Sequence, residues 1–209
     1  MARIPVVDFS KADSLKPGTS SWLSARKDVC RALEDLGCFM ATILPSKVPP
    51  GLHKTIFDAF DEHFWPTEND QFCESVDLYA EVMAEIDEVV TRILFESCGV
   101  EKYHDNHFRL TFHNLRLIKY KVPEKLGGDV GLRSHTDKTF LSIAGDAFKV
   151  WSNGRIRSCK HRVTLRENEV RYSLGLFSFQ EGVIQIPNEL IDKDHPIQYK
   201  PVHLLYKFM

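Results

Sequence analysis

The sequence predicts an α+β protein whose helices come first and whose strands follow as a sandwich or barrel. Up to Gly99, apolar residues recur every three or four positions, which is typical of amphipathic helices. Beyond Gly99, the apolar segments are short, rich in aromatic and β-branched residues, and separated by turn residues. With 209 residues, of which 43% are apolar, the chain is large enough to bury a core.

The first half is predicted to contain one edge strand and three helices. The strand covers 4–9, where Pro5 restricts it to the edge of a sheet. The first helix ends at Gly37, and the third covers 71–98, a rod of roughly 40 Å at ~1.5 Å per residue. The second helix follows two prolines and has an apolar residue at every fourth position, namely Leu52, Ile56, Phe60 and Phe64.

The second half is predicted to contain short strands, which lie near 108–121, 139–143, 147–151, 155–164 and 170–180. Asn153-Gly154 is a strong turn signal within this region. From Val170 onward the side chains alternate with a period of two, which is the pattern of a strand with one buried face.

Composition and charge exclude several classes of partner. Lys plus Arg is 27 and Asp plus Glu is 29, so a formal net charge of −2 provides no footprint for nucleic acid or an anionic membrane. No apolar run approaches the ~20 residues of a membrane span, and the first ten residues lack the apolar core of a secretory signal. The five cysteines are scattered and form no Cys-x-x-Cys pair, so we expect reduced thiols in a cytoplasmic protein.

One short motif and two later segments indicate a metal site. In an extended chain, His135 and Asp137 project to the same side and can converge on one ion. His161 supplies a second imidazole, and two imidazoles with one carboxylate make the facial triad that suits non-haem Fe(II). Arg171 and Ser173 lie two residues apart on a predicted strand, where they can bind the far carboxylate of a dicarboxylic 2-oxo acid.

These motifs, taken together, resemble those of plant Fe(II)/2-oxoglutarate-dependent dioxygenases. The similarity covers nearly the whole chain, and it is carried by the segments 4–9, 33–39, 135–140, 145–155, 161–163 and 171–178. The segment 187–196 is similar to the subgroup that includes the glucosinolate side-chain enzymes, which form alkenyl and hydroxyalkyl products.

The resemblance implies a role for each matching residue. His135, Asp137 and His161 match the iron ligands of the family, and no catalytic side chain beyond these ligands is implied. Arg171 and Ser173 match the 2-oxoglutarate clamp. Tyr120 lies near a further position of the family that contacts the oxo acid, although Lys119 stands where Asn is usual.

The resemblance also implies a fold and a reaction. The expected fold is a double-stranded β-helix, or jelly roll, over residues 108–209, backed by a helical region over 1–107 that includes the long helix. The expected reaction uses Fe(II), O₂ and 2-oxoglutarate, with ascorbate as a candidate reductant. It hydroxylates, desaturates or dealkylates a small plant specialised metabolite, with neither nucleic acid nor membrane as partner, and the sequence does not indicate an oligomeric state.

The spacing between the ligands departs from the family. Only the 23 residues 138–160 separate Asp137 from His161. Four strands lie between these positions in a jelly roll, which takes roughly 30 residues or more at ~5 residues a strand plus turns. A block is therefore expected to be missing between Ile143 and Ala144, and the junction near 63–66 also reads as shortened.

The missing block leaves two alternatives to an active oxygenase. The chain could be a catalytically inactive homologue that has lost core strands, so that His161 does not reach the other ligands. It could also be a jelly-roll binding module without redox chemistry. A further group, His104, His107 and His113, lacks metal-site spacing and is expected to lie on the surface or in packing contacts.

Overall fold

The computed structural model describes residues 3–62, 69–122, 130–141, 143–165 and 169–203. The junction near 63–66, expected to be shortened, lies outside these ranges. The α-helices of the described ranges are α1 (Ser20–Asp35), α2 (Leu52–Glu62), α3 (Asp70–Ser97), α4 (His104–Leu110) and α5 (Asp146–Trp151). Their strands are β1 (Val6–Phe9), β2 (Met40–Ile43), β3 (Thr111–Tyr120), β4 (Val130–His135), β5 (His161–Thr164), β6 (Arg171–Gln180), β7 (Val183–Ile184) and β8 (Val202–His203).

The helices α1 and α3 begin and end at residues that are typical of helix ends. The Thr19 hydroxyl accepts a hydrogen bond from the backbone N–H of Trp22 and caps α1. Gly37 follows α1 at a φ of 72°, where a side chain would be strained, and turns the chain into β2. Asn69 caps α3, which extends over 28 residues and lies one residue from the predicted bounds.

The main core lies between α1, α3, α5 and β1. Val7 and Phe9 of β1 are fully buried, and β1 pairs in parallel with β2, a strand that the sequence did not predict. Ile93 and Phe95 of α3 are also fully buried, and the Phe95 ring stacks on Trp151 of α5 at 4.2 Å. The helical and strand halves of the chain therefore share one hydrophobic core.

The longest strand pair is formed by β3 and β6, which run antiparallel over ten residues in continuous register. One face of this pair packs on the helices, where Tyr172 stacks on Phe57 of α2 and Leu174 joins the cluster between α2 and α3. Arg171 and Ser173 belong to the opposite face, because alternate residues of a strand point to opposite sides. Both strands were predicted, although residues 108–110 belong to α4.

The predicted strand over 147–151 is wrong, because these residues belong to α5. Ala147, Phe148 and Trp151 are buried on one side of this short helix and pack into the core, so tertiary packing overrides the strand-like composition. The described residues of 139–143 form turns, and in 155–164 only 161–164 are a strand. Asn153 and Gly154 do turn the chain, with φ values of 52° and 82°, at the end of α5.

The described strands form four two-stranded sheets, β1–β2, β3–β6, β4–β5 and β7–β8, rather than a closed barrel. The strand β4 pairs antiparallel with β5, and the described residues of the connection between them form turns and α5. Val130 and Leu132 of β4 are 50% and 45% exposed, which leaves apolar surface on this pair. Within the described ranges, no helix has both the length and the apolar character that crossing a bilayer requires.

Candidate metal centre

Among the described residues, one group of three or more His, Cys, Asp and Glu side chains has a geometry that could hold a metal ion. It consists of His135, Asp137 and His161, whose ligand atoms all lie within 4.8 Å of one another. The Nε2 atom of His135 is 3.6 Å from Oδ1 of Asp137, and Nε2 of His161 is 4.0 Å from Oδ2 of the same carboxylate. The three side chains that the sequence singled out therefore meet at one point.

The pairing of β4 with β5 brings the two imidazoles together. His135 ends β4 and His161 begins β5, and the two residues are partners in the antiparallel register. Their ring centroids are 4.2 Å apart. The short connection over 138–160 thus returns His161 to His135 directly, without intervening strands in its described part.

Hydrogen bonds to the backbone fix the tautomer of both imidazoles. The Nδ1 atom of His135 is 2.8 Å from the carbonyl oxygen of Arg133, and Nδ1 of His161 is 3.2 Å from that of Cys159. A carbonyl can only accept, so each Nδ1 donates its N–H, and in the neutral form of each ring the lone pair is on Nε2. Metal-binding histidines are oriented by this kind of outer hydrogen bond, and both lone pairs here belong to the atoms nearest Asp137.

The site is partly open to solvent. The side chains of His135 and His161 are 32% and 28% exposed, and that of Asp137 is 16% exposed. Burial raises the pKa of the nearby Cys159 thiol to about 12, with the hydrogen bond and charge of Cys38 and the charge of Asp137 adding to the shift. In the metal-free protein Cys159 therefore carries its proton at neutral pH.

The residues predicted to bind the oxo acid lie together on the face of β3–β6 that points away from the helices. Arg171 and Ser173 share this face of β6, and Tyr120 is the register partner of Arg171 on β3. The Nη1 atom of Arg171 donates a hydrogen bond to the carbonyl oxygen of Thr164, at the end of β5. Thr164 is three residues from His161, or about 10 Å along an extended strand.

A second contact joins the same two strand pairs. A Cβ atom on Gly131 of β4 would lie 3.1 Å from Cδ1 of Tyr120, so the tyrosine ring covers this glycine. The β4–β5 pair, which carries the two imidazoles, therefore touches the β3–β6 pair at the end that carries Tyr120 and Arg171.

The three other histidines discussed above pack against neighbouring side chains. His104 and His107 are 3% and 5% exposed and lie against the ring of Phe95. The Nε2 atom of His113 is 2.9 Å from Oδ2 of Asp87 on α3. None of the three belongs to a metal-binding group within the described part of the chain.

Sequence reasoning missed one group of residues around the centre. The carboxylate of Asp146 accepts hydrogen bonds from Thr136, between the first two candidate ligands, and from Ser158, three residues before His161. The available signal was Gly145-Asp146, which is part of the segment that resembles the dioxygenases, but it indicated no contact partner.

Comparison with known proteins defines the class. Residues 132–180 match the family model described as the 2OG-Fe(II) oxygenase superfamily, and this range contains all three residues of the candidate centre. Curated relatives are named 2-oxoglutarate-dependent dioxygenases, and the similarity to one of them extends over almost the full length of both chains. The chain belongs to this superfamily of Fe(II)- and 2-oxoglutarate-dependent oxidoreductases.

The individual relatives are plant proteins. The chain is 30% identical to "Probable 2-oxoglutarate-dependent dioxygenase AOP1" of Arabidopsis thaliana, over 95% of this chain and 93% of that protein. It is 25% identical to "2-oxoglutarate-dependent dioxygenase AOP3" of the same plant, over 95% and 91%. The alignment with AOP1 extends over 283 positions against 209 residues here, so the relative contains segments that have no counterpart in this chain.

Solved structures show the same fold. The rice dioxygenase for auxin oxidation superimposes with a TM-score of 0.74 at 21% identity, covering 96% of this chain and 92% of that one. JOX2, solved in complex with 2OG, Fe and JA, superimposes with a TM-score of 0.76 at 17% identity, covering 96% and 82%. The mixed helices and strands described above therefore share the overall fold of these 2OG-Fe(II) oxygenases, a jelly-roll family, while the described strands of this chain pair two by two.

Proposed function

We propose that this chain is an active dioxygenase that oxidises a small plant specialised metabolite, with His135, Asp137 and His161 as the iron ligands. The observation that carries the proposal is the convergence of the three side chains, in which both Nδ1 atoms bond backbone carbonyls and both Nε2 atoms lie beside one carboxylate. Two neutral imidazoles and a carboxylate are the donor set that suits Fe(II) and leaves coordination positions open.

The donors fit the metal by chemistry as well as by position. All three are nitrogen or oxygen donors, and the nearby thiol of Cys159 carries its proton in the metal-free protein. When bound, Fe(II) supplies the activation of O₂ that drives oxidation of the substrate, coupled to the conversion of 2-oxoglutarate to succinate and CO₂. The protein's contribution is to hold the three donors together, with each imidazole oriented by a hydrogen bond from Nδ1 to the backbone.

We further propose that Arg171, Ser173 and Tyr120 anchor the co-substrate. The guanidinium of Arg171 can bind the far carboxylate through two parallel hydrogen bonds, and the Ser173 hydroxyl, on the same strand face, can donate a third. Tyr120 lies opposite Arg171 in the register and offers a phenol to the same carboxylate. The separation of about 10 Å between Thr164, which Arg171 contacts, and His161 is on the scale of an extended five-carbon dicarboxylate with a contact at each end.

We also propose that this chain lacks core strands that its relatives contain. The 283-position alignment with AOP1 and the direct pairing of β4 with β5 both support a block absent between Ile143 and Ala144. The exposed surface of Val130 and Leu132 fits the loss of a neighbouring strand, because such strands are normally covered in a closed barrel. The oxidation itself is proposed as hydroxylation, desaturation or dealkylation.

Anaerobic titration tests the proposal. Fe(II) followed by 2-oxoglutarate is expected to produce a visible metal-to-ligand charge-transfer band in the wild-type protein, and admission of O₂ is expected to yield succinate. The matched variants are His161→Ala, which removes a proposed ligand, and His53→Ala, which removes an exposed histidine of α2. Loss of the band in the first and retention in the second supports the proposal. Absence of both band and succinate in the wild type would instead support the inactive homologue.

A further inference from the structure

The two segments that carry the candidate ligands are joined by one carboxylate. The Oδ2 atom of Asp146 accepts a hydrogen bond from the Thr136 hydroxyl at 3.0 Å, and Oδ1 accepts one from the Ser158 hydroxyl at 2.7 Å. Thr136 lies between His135 and Asp137 in the sequence. Ser158 lies on the segment that leads into β5. Each oxygen of Asp146 thus holds one of the two segments.

The backbone of the same residue makes a third contact. The N–H of Asp146 donates to the carbonyl oxygen of Asp137 at 2.7 Å. This contact requires glycine at position 145, because a Cβ atom there would lie 2.2 Å from the carbonyl oxygen of Thr139 and 2.8 Å from that of Asp137. The chain therefore approaches Asp137 closely enough to bond its backbone while the side chain of Asp146 reaches both hydroxyls.

The neighbouring residue strengthens the connection. The carbonyl oxygen of Ala144 accepts a hydrogen bond from the N–H of Cys159 at 2.9 Å, two residues before His161. Asp146 is part-buried, and hydrogen bonds from hydroxyls to a carboxylate are stronger than those between neutral groups. The stretch from 144 to 146 consequently spans the whole gap between the two ligand-bearing segments.

We propose that Asp146 is a positioning residue for the metal centre, which holds the Thr136 segment and the Ser158 segment so that His161 meets His135 and Asp137. The role toward iron rests on the proposed function, whereas the alignment of the two imidazoles is a property of the metal-free protein. It explains how a connection of only 23 residues can still assemble the centre without the strands that the family uses.

Three variants separate positioning from general stability. Asp146→Ala removes both side-chain acceptors. Asp146→Asn keeps one acceptor oxygen, and its amide N–H can donate a hydrogen bond to the oxygen of the second hydroxyl. Asp28→Ala, on the exposed side of α1, is the matched control for loss of a carboxylate. Residues outside the ligand set that orient ligands change metal affinity by 10- to 100-fold. We therefore expect Fe(II) affinity to fall about 10- to 100-fold in Asp146→Ala, by about 3-fold or less in Asp146→Asn, and not in Asp28→Ala.

A second readout uses the protein without metal. The rings of His135 and His161 have centroids 4.2 Å apart, which should give a proton–proton nuclear Overhauser effect between the two imidazoles in the wild type. This signal is expected to persist in Asp146→Asn and to disappear in Asp146→Ala while the urea midpoint shows that the variant is folded. If Asp146→Ala does not fold, the milder variants Thr136→Val and Ser158→Ala replace it. Each removes one hydroxyl, and each is expected to weaken the signal between the two imidazoles.

The outcomes are distinguishable from those of the proposed function. An imidazole–imidazole signal and an Fe(II) affinity within two-fold of wild type in folded Asp146→Ala, or in both hydroxyl variants, would overturn the positioning role. A wild type that shows the imidazole signal but binds no Fe(II) would leave the positioning role intact and refute the proposed function.

Discussion

Acid is expected to destabilise the protein through His107. This side chain is 5% exposed, and burial lowers the pKa of His107 to about 4, with the charge of the neighbouring His104 adding to the shift. In the unfolded chain the pKa returns to about 6.5, so between these values the unfolded state binds one more proton. The stability due to the buried neutral ring is present above about pH 6.5 and is lost as the pH falls towards 4, by roughly 1.4 kcal/mol per pH unit.

The magnitude and the assay follow from these two pKa values. From about pH 7.5 to about pH 5, His107 alone should reduce the free energy of unfolding by about 2 kcal/mol. Urea denaturation of the wild type, His107→Phe and the exposed-site control His53→Phe at both pH values measures this loss. His107→Phe should lose about 2 kcal/mol less than the wild type, because these two proteins share all other titrating groups, and the control should follow the wild type. Equal losses in the wild type and His107→Phe would refute the reasoning.

Three further predictions concern other parts of the fold and the site. Gly145→Ala should reduce stability by about 2–3 kcal/mol and abolish iron binding, because the new Cβ atom would overlap the Thr139 carbonyl at 2.2 Å; a wild-type urea midpoint would contradict this. Asn153→Gly should cost about 2 kcal/mol in urea denaturation although glycine accepts the φ of 52°, because the buried amide bonds the backbone of Leu190 and Gln198; a neutral effect would show that these bonds contribute nothing. Arg171→Gln should raise the KM for 2-oxoglutarate about 10- to 100-fold in succinate assays, and an unchanged KM would exclude the proposed anchor.

The helices could be predicted from the sequence because their information is local. The apolar residues of α3 recur at helical spacing over 28 residues, and Gly99 follows with a φ of 65°, so the pattern and the stop signal agree. The segment 147–151 had no such agreement between pattern and stop signal, since five residues rich in aromatic and β-branched side chains are compatible with either a strand or a helix. Its helical state depends on the burial of Phe148 and Trp151 in the core, which is a tertiary effect.

The candidate centre was predictable in its residues but not in its assembly. The spacing of His135 and Asp137 follows from the geometry of an extended chain, and His161 followed from the need for a third donor. The spacing of a jelly roll predicts four strands between Asp137 and His161, and a remote His161 if they are lost. The described part of the connection instead contains turns and α5, and β5 pairs directly with β4. The direct pairing of β4 with β5 depends on the close approach at Gly145 and on the contacts of Asp146, and neither can be read from residue order.

The central claim is that two Nε2 atoms and one carboxylate bind a single ferrous ion. Crystals grown without oxygen in the presence of Fe(II), measured at the iron absorption edge, test it most directly. The account predicts one anomalous-difference peak, bonded to Nε2 of His135, Nε2 of His161 and the carboxylate of Asp137. Iron bound elsewhere, or bonded to His135 and Asp137 while His161 points away, would contradict it.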